Sequence, residues 1–159
     1  MAAKFKFHLE TLLEMRLLQE QRAQARLGEQ LRVVEAEKAA LVELEGVAAA
    51  YRDELAERQR GNLDIHAVMT YMSYLNSVDS RIRQQLERIA GAEQEAERLR
   101  GELLKATQQK KSVEKLRERH LEEFTKEQQR AETLFLDEMT STRQKRSGTE
   151  PSGEATPPA

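Results

Sequence analysis

Proline is missing from the first 150 positions of this chain. All three prolines, Pro151, Pro157 and Pro158, fall within the last nine of 159 residues. Proline removes a helical donor and clashes with the preceding turn, so nothing up to Glu150 forbids continuous helix. The residues that fill this stretch are helix formers. Ala, Glu, Lys, Leu and Arg make 89 of the 159, the composition of long or coiled helices. Aromatics are 4% with no Trp, and β-branched residues are sparse, which disfavours a β architecture. Large apolar side chains are too few to wrap a thick core around a pocket, which argues against most globular enzymes.

The apolar residues follow a 3-4 rhythm. A first seam runs Leu13, Leu17, Glu20, Gln24, Leu27, Leu31, Val34, Lys38, Leu41, with six of nine apolar. A three-residue step to Leu44 restarts it through Ala48, Tyr51 and Leu55. Such a step reads as a stammer, a local overwinding of a heptad coil. A second seam runs Val68, Met72, Leu75, Asp79, Ile82, Leu86, Ile89. It resets at Ala92 and continues through Ala96, Leu99, Leu103, Ala106, Lys110 and Val113, then more weakly through His120, Phe124, Ala131 and Leu134. This is the narrow stripe of a coiled coil, not the wider face of a globular helix.

Between the two seams lies Arg60-Gly61-Asn62-Leu63-Asp64. Gly61 suits the left-handed conformation that closes a helix. Asp64 suits the cap of the next one, and Leu63 with Val68 the two positions of a hydrophobic staple. The reading is a sharp helical hairpin; a short flexible linker is the alternative. The expected fold is all-α: a long antiparallel two-helix coiled-coil hairpin over residues 1–146. Helix 1 spans about 5–60, the turn 61–64 and helix 2 about 65–145, with a disordered tail at 147–159 that has nothing to bury. A hairpin pairs residues whose numbers total about 125, so Phe5 faces about His120. The second helix then overhangs the first by roughly 25 residues, or about 37 Å at 1.5 Å per residue.

Lys plus Arg is 26 and Asp plus Glu 28, a net charge of −2 with the two signs interleaved. That reads as a solvated helix surface rather than a nucleic-acid footprint, so no nucleic acid is expected as partner. The basic groups Lys110-Lys111 and Arg143-Lys145-Arg146 fit solubility and the favourable placement of cations at a helix C-terminus. An acidic protein or a nucleic acid is the alternative reading for them. No apolar run reaches the roughly 18 residues of a membrane span, and the N-terminus lacks the apolar stretch of a signal peptide. Together with the absence of cysteine these features point to a cytoplasmic protein without direct membrane insertion.

Chemistry is hard to place on such a chain. His8, His66 and His120 stand in no metal-ligand spacing, and no glycine-rich phosphate loop exists. A two-helix seam offers no cavity in which a carboxylate's pKa would be retuned. The expectation is a non-enzymatic protein with no cofactor, no metal and no catalytic residues. Two apolar groups say more. Tyr71, Met72, Tyr74 and Leu75 crowd one turn just past the hairpin. They cannot all enter a two-stranded seam, so at least one tyrosine should be exposed as a binding anchor, although tip packing against Tyr51 is a competing use. At the other end Phe5, Phe7, Leu9, Leu12 and Leu13 join Phe124 and the consecutive Leu134-Phe135-Leu136. Burying each such side chain is worth roughly 1.5–3 kcal/mol, and a lone helix of this composition is marginal in water. That end should insert into a partner; self-association or a bent second helix is the alternative.

The opening Phe5-Lys-Phe-His-Leu9-Glu-Thr-Leu-Leu13-Glu-Met-Arg16 resembles that of FliJ proteins, components of the bacterial flagellar type III export apparatus. So do Tyr51 ahead of the turn, the stretch from Tyr71 to Arg81, Val113-Glu-Lys-Leu-Arg-Glu-Arg119 and the late Leu136-Asp-Glu138. The resemblance spans roughly residues 4–146. It implies a two-helix coiled coil similar to the central stalk of rotary ATPases. It also implies three partners: the hexameric flagellar export ATPase, the membrane export-gate protein and the export chaperones. The protein would then lie at the inner face of the cell membrane, at the flagellar base, and be a monomer when free. On this reading Phe5, Phe7, Leu9, Leu13, Phe124, Leu134, Phe135 and Leu136 meet the ATPase ring, while Tyr71, Tyr74, Leu75 and Val78 meet the gate. A holdase-like coiled-coil chaperone and a generic coiled-coil scaffold are the competing classes.

Overall fold

The computed structural model describes residues 3–62 and 64–148. Its described residues form two helices, α1 (Glu10–Gln59) and α2 (Ile65–Ser147), and no strand. They contribute to two compact units, one of residues Leu12–Lys111 and one that joins the segment up to Thr11 with α2 from Ser112 onward.

The first unit is an antiparallel hairpin, and its register is the one the turn imposes. Arg16 donates to Gln109 at 2.8 Å, and the Tyr51 and Tyr74 rings lie 4.3 Å apart; both pairs total 125. The turn is built differently from expectation. No described glycine has positive φ, so Gly61 does not take the left-handed conformation. Instead the last turn tightens: Arg60 N–H donates to the Glu57 carbonyl at 3.2 Å and Gly61 N–H to the Arg58 carbonyl at 3.3 Å. Three-residue bonds of this kind satisfy terminal carbonyls without any left-handed residue. Asp64 does cap α2. Its Oδ1 accepts the His66 N–H at 3.1 Å, and its carbonyl accepts the Val68 N–H at 3.0 Å. The staple partner Leu63 and the tail beyond Gly148 lie outside the described residues.

The seam also departs from the apolar reading. On α1 the seam runs through 13, 16, 20, 23, 27, 30, 34, 37, 41, 44, 48, 51 and 55, each buried or half-buried. On α2 it runs through 68, 71, 75, 78, 82, 85, 89, 92, 96, 99, 103, 106 and 110, again buried or half-buried throughout. Both are unbroken heptads, with no stammer before Leu44 and no reset at Ala92. The physical reason is that polar residues hold several of the seam positions. Arg16, Gln30 and Gln85 take the places that neighbouring Leu17, Leu31 and Leu86 were expected to fill. Those leucines remain 44%, 37% and 50% exposed.

The inserted polar groups are paired across the hairpin. Gln30 donates to the Ala92 carbonyl at 3.0 Å, and Gln85 donates to the carbonyl of Glu37 at 2.9 Å and also to its carboxylate. Glu20, 9% exposed, accepts from Thr107 at 2.9 Å and pairs with Lys110 at 2.7 Å. The Lys110 and Thr107 hydrogen bonds hold its carboxyl below the usual carboxylate range. Such layers contribute little net stability, but each is satisfied in one alignment only, so they fix register. Apolar layers between them supply the driving force, with Val78 the largest side chain almost wholly withdrawn from water.

In the second unit, residues 3–9 are not helical, and α1 begins at Glu10 rather than near residue 5. Phe5 and Phe7 explain the delay. Both side chains lie against α2, Phe5 on Phe124 and Phe7 on His120. Residues two apart share a face only in an extended segment, because a helix would turn one of them away. Beyond Phe124, α2 loses this cover. Residues 129–148 are all exposed, and Thr133, Thr140 and Thr142 turn their hydroxyls back onto the carbonyls of Gln129, Leu136 and Glu138 at 2.8–2.9 Å.

Candidate interaction surfaces

The structure offers surfaces rather than a reaction centre. Among the described residues no group of three or more His, Cys, Asp or Glu could hold a metal ion. No described helix is long and apolar enough to cross a membrane.

The first surface lies beside the turn. Tyr51 sits between two tyrosines, 4.3 Å from the Tyr74 ring and 5.9 Å from that of Tyr71. Tyr71 is half-buried: its hydroxyl donates to Glu54 at 2.8 Å and the Arg58 guanidinium lies 5.0 Å over its ring. The Glu54 bond holds the phenol proton and raises its pKa above the ordinary tyrosine value. Leu75 and Val78 are buried in the seam at 9% and 1% exposure, so of the four residues assigned to the gate only Tyr71 and Tyr74 reach the surface.

Around Tyr74 the sequence singles out Met72 but not Ile65 or Met69. Ile65, Met69 and Met72 are 69%, 63% and 53% exposed. Residues 65–78 carry no Asp, Glu, Lys or Arg at all, in a chain that is 34% charged. That charge-free run is the signal that could have found the face. His66, Met69, Thr70, Ser73, Tyr74 and Ser77 line a shallow groove on it. Methionine's unbranched, polarizable side chain adapts to varied partner shapes.

The second surface belongs to the other unit. Phe5 and Phe124 meet at 5.5 Å between ring centroids, and the Arg117 guanidinium lies 5.7 Å from the Phe5 ring while its Nε donates to Glu10 at 3.2 Å. Phe7 is buried at 7%. Phe5 and Phe7 hold the N-terminal segment to α2, and Leu9 is half-buried. Leu13 belongs to the hairpin unit and lies half-buried in its seam. Leu134, Phe135 and Leu136 are 67%, 62% and 62% exposed, and Met139, which apolar counting had not singled out, is 59%. Of the eight residues assigned to the ATPase ring, then, three stand fully open and five serve packing as well.

An antiparallel coiled-coil hairpin in one unit and, in the other, a stretch of α2 with its apolar side chains in water define a long-helix coiled-coil protein. The match to known proteins agrees. The chain matches the model of the flagellar FliJ protein over residues 5–149, and it belongs to that family. This makes it a component of flagellar protein export, in a family of structural rather than enzymatic parts. The fold is also similar to a solved structure from Chlamydia trachomatis, CT670, described as a YscO homolog. The TM-score is 0.64 at 22% sequence identity, over 92% of this chain and 100% of that one. No curated protein matches the chain.

Proposed function

We propose that this protein couples the hexameric flagellar export ATPase to the membrane export gate and assists the cycling of export chaperones, without chemistry of its own. The observation that carries this reading is the bare stretch of α2. Twenty helical and turn residues, 129–148, expose Leu134, Phe135, Leu136 and Met139, each at 59% or more. An isolated helix of that length is marginal in water. A ring's central pore would cover it on every side, which suits consecutive apolar residues that no flat surface could cover together. One helix cannot contact six subunits alike, so its insertion biases the catalytic states of the ring or promotes ring assembly. Family membership supports the choice of partner.

Gate contact falls to the charge-free face of the hairpin unit. Tyr74, with part of Tyr71, supplies the anchor, while Leu75 and Val78 act from behind by fixing α2 in the seam. Free of partners the chain is a monomer, located in the cytoplasm and drawn to the inner face of the cell membrane by the gate.

The test is the ATPase activity and assembly of the cognate ring with and without the protein. Stimulation or assembly that is lost in Phe135→Asp supports the reading; no change in either quantity on adding the native chain overturns it. For the gate, Tyr74→Ala should keep its helicity and lose gate binding and motility. Unimpaired binding would move the contact elsewhere.

A further inference from the structure

The seam of the hairpin unit has two edges, and most of the exposed off-seam leucines lie along one of them. In a heptad coil, residues seven apart keep the same orientation to the seam. Lys38 meets Glu93 at 3.0 Å and Arg52 meets Asp79 at 2.9 Å across the hairpin, so the heptad rows that contain these four line one edge. Leu17 and Leu31 stand in the Lys38 row, and Leu86 stands in the Glu93 row. Val42 follows Lys38 by four residues, and Leu104 follows Arg100 of the Glu93 row by four, which places both just outside the same edge. Val42 is 66% exposed and Leu104 59%. The opposite edge, marked by the Arg26–Glu102 pair at 3.7 Å, carries Val33 and Val47 in the Arg26 row.

Pair numbers that total 125 set Leu104 beside position 21 of α1 and Leu86 beside position 39. The five apolar residues therefore form one strip, from Leu17 to Val42, about 37 Å long at 1.5 Å per residue. Lys38 and Glu93 cross its middle but neutralise each other, as Arg100 and Glu97 do nearby. The outer rows divide the remaining charge by helix. Glu14 and Glu35 share the Val42 row on α1, and Arg83 and Lys111 share the Leu104 row on α2. Gly28 also lies in the Val42 row, three residues before Leu31, with open space where a Cβ would stand. Glycine is a poor helix former, but its bare backbone admits a close neighbour.

We propose that this strip is a docking groove for an amphipathic helix of a partner protein, laid along the hairpin with a basic edge over α1 and an acidic edge over α2. A narrow apolar stripe between an acidic and a basic border fits one helix laid in the groove between two others, with the border charges fixing its direction. The site is separate from the bare stretch of α2. The Arg52–Asp79 pair divides it from the face around Tyr74, so it depends on neither the ring nor the gate.

The probe is a fluorescein-labelled helical peptide, about 25 residues long to match the strip, with a leucine stripe, Lys along one edge and Glu along the other. It is titrated with the full chain and followed by anisotropy. Affinity should fall at least about tenfold in Leu31→Asp and in Leu86→Asp and stay within about twofold in Val33→Asp, with helicity by circular dichroism retained in all three. Glu14→Lys with Glu35→Lys should weaken this peptide and strengthen one with Glu on both edges. Gly28→Ala should weaken binding while raising the thermal midpoint of the free chain; Gly91→Ala, seven residues before Arg98 on the other side, should raise the midpoint alone. Failure of the peptide to bind, or an equal loss in Val33→Asp, would overturn the groove. A dimer of the full chain in sedimentation that Leu86→Asp dissolves would overturn it too, because a second copy would then be the occupant.

Discussion

Two stretches of the same helix behave in opposite ways. From Val68 to Phe124, α2 keeps an unbroken heptad with a polar residue at intervals, and every seam position is at least half-buried. From residue 129 on, it concentrates Leu134, Phe135 and Leu136 within one turn and buries none of them. The covered stretch nonetheless admits polar residues, for Gln85, Lys110 and Arg117 stand in its seam. An apolar side chain by itself thus does not mark the core here. Periodicity does, and its loss after Phe124 marks the part left for another molecule.

The largest effect should separate the two stretches directly. Val78→Asp buries an unpaired charge where the native side chain is 1% exposed, and the hairpin should lose more than about 3 kcal/mol. Phe135→Asp should leave stability within about 0.5 kcal/mol while weakening ring binding at least about tenfold. Urea unfolding followed by circular dichroism reads the first pair and a pulldown titration the second; equal destabilisation by both would dissolve the contrast. Next comes the polar seam. Gln30→Leu with Gln85→Leu should raise stability by about 1–2 kcal/mol, since paired buried polar groups contribute little net energy. The same change should admit dimers or slipped registers, visible by sedimentation. A stable, single-register monomer would show that these glutamines do not key the alignment.

Acid should touch the covered stretch through Glu20. Its carboxyl is held below the usual range when folded, so its contribution is present at neutral pH and fades as pH drops through the carboxylate range. Glu20→Gln should flatten the fall of the unfolding midpoint between about pH 6 and pH 3. Tyr71 and Lys38, both raised, work in the opposite sense: their contributions are present at neutral pH and fade above about pH 10. The smallest effects belong to the turn. Asp64→Ala should lose about 1 kcal/mol with its cap. Gly61→Ala should gain about 0.5 kcal/mol, because its φ is not positive and an added Cβ meets only the Arg58 carbonyl oxygen, 3.9 Å away.

The hairpin was legible because its signals are local. The break at Gly61-Asn62 and the cap at Asp64 each lie within a few residues of a long proline-free run, and pair numbers then follow by counting. The seam was only half legible. Counting apolar residues favours Leu17, Leu31 and Leu86, since nothing local says that Arg16, Gln30 and Gln85 have hydrogen-bond partners on the other helix. The open apolar run at Leu134 could be read from crowding alone, because three consecutive residues cannot share one face. The extended segment at Phe5 and Phe7 was read as helix; the alternation Lys4-Phe5-Lys6-Phe7 was there, but four residues are too short a run to outweigh the helical rhythm that follows. The contact of the His8 ring with that of His120, 5.2 Å between centroids, had no signal in the sequence, because it exists only once the chain has folded back.

The hydroxyls of Thr133, Thr140 and Thr142, bonded to carbonyls four residues behind them, compete with the backbone ladder of the uncovered stretch. Any molecule that closes around this stretch grips a helix whose ladder these hydroxyls weaken, so its tightness is set in part by groups turned back onto the backbone. Replacing one of these threonines with alanine would stiffen the handle without altering the grip, a dial that selection could turn while leaving every apolar contact in place.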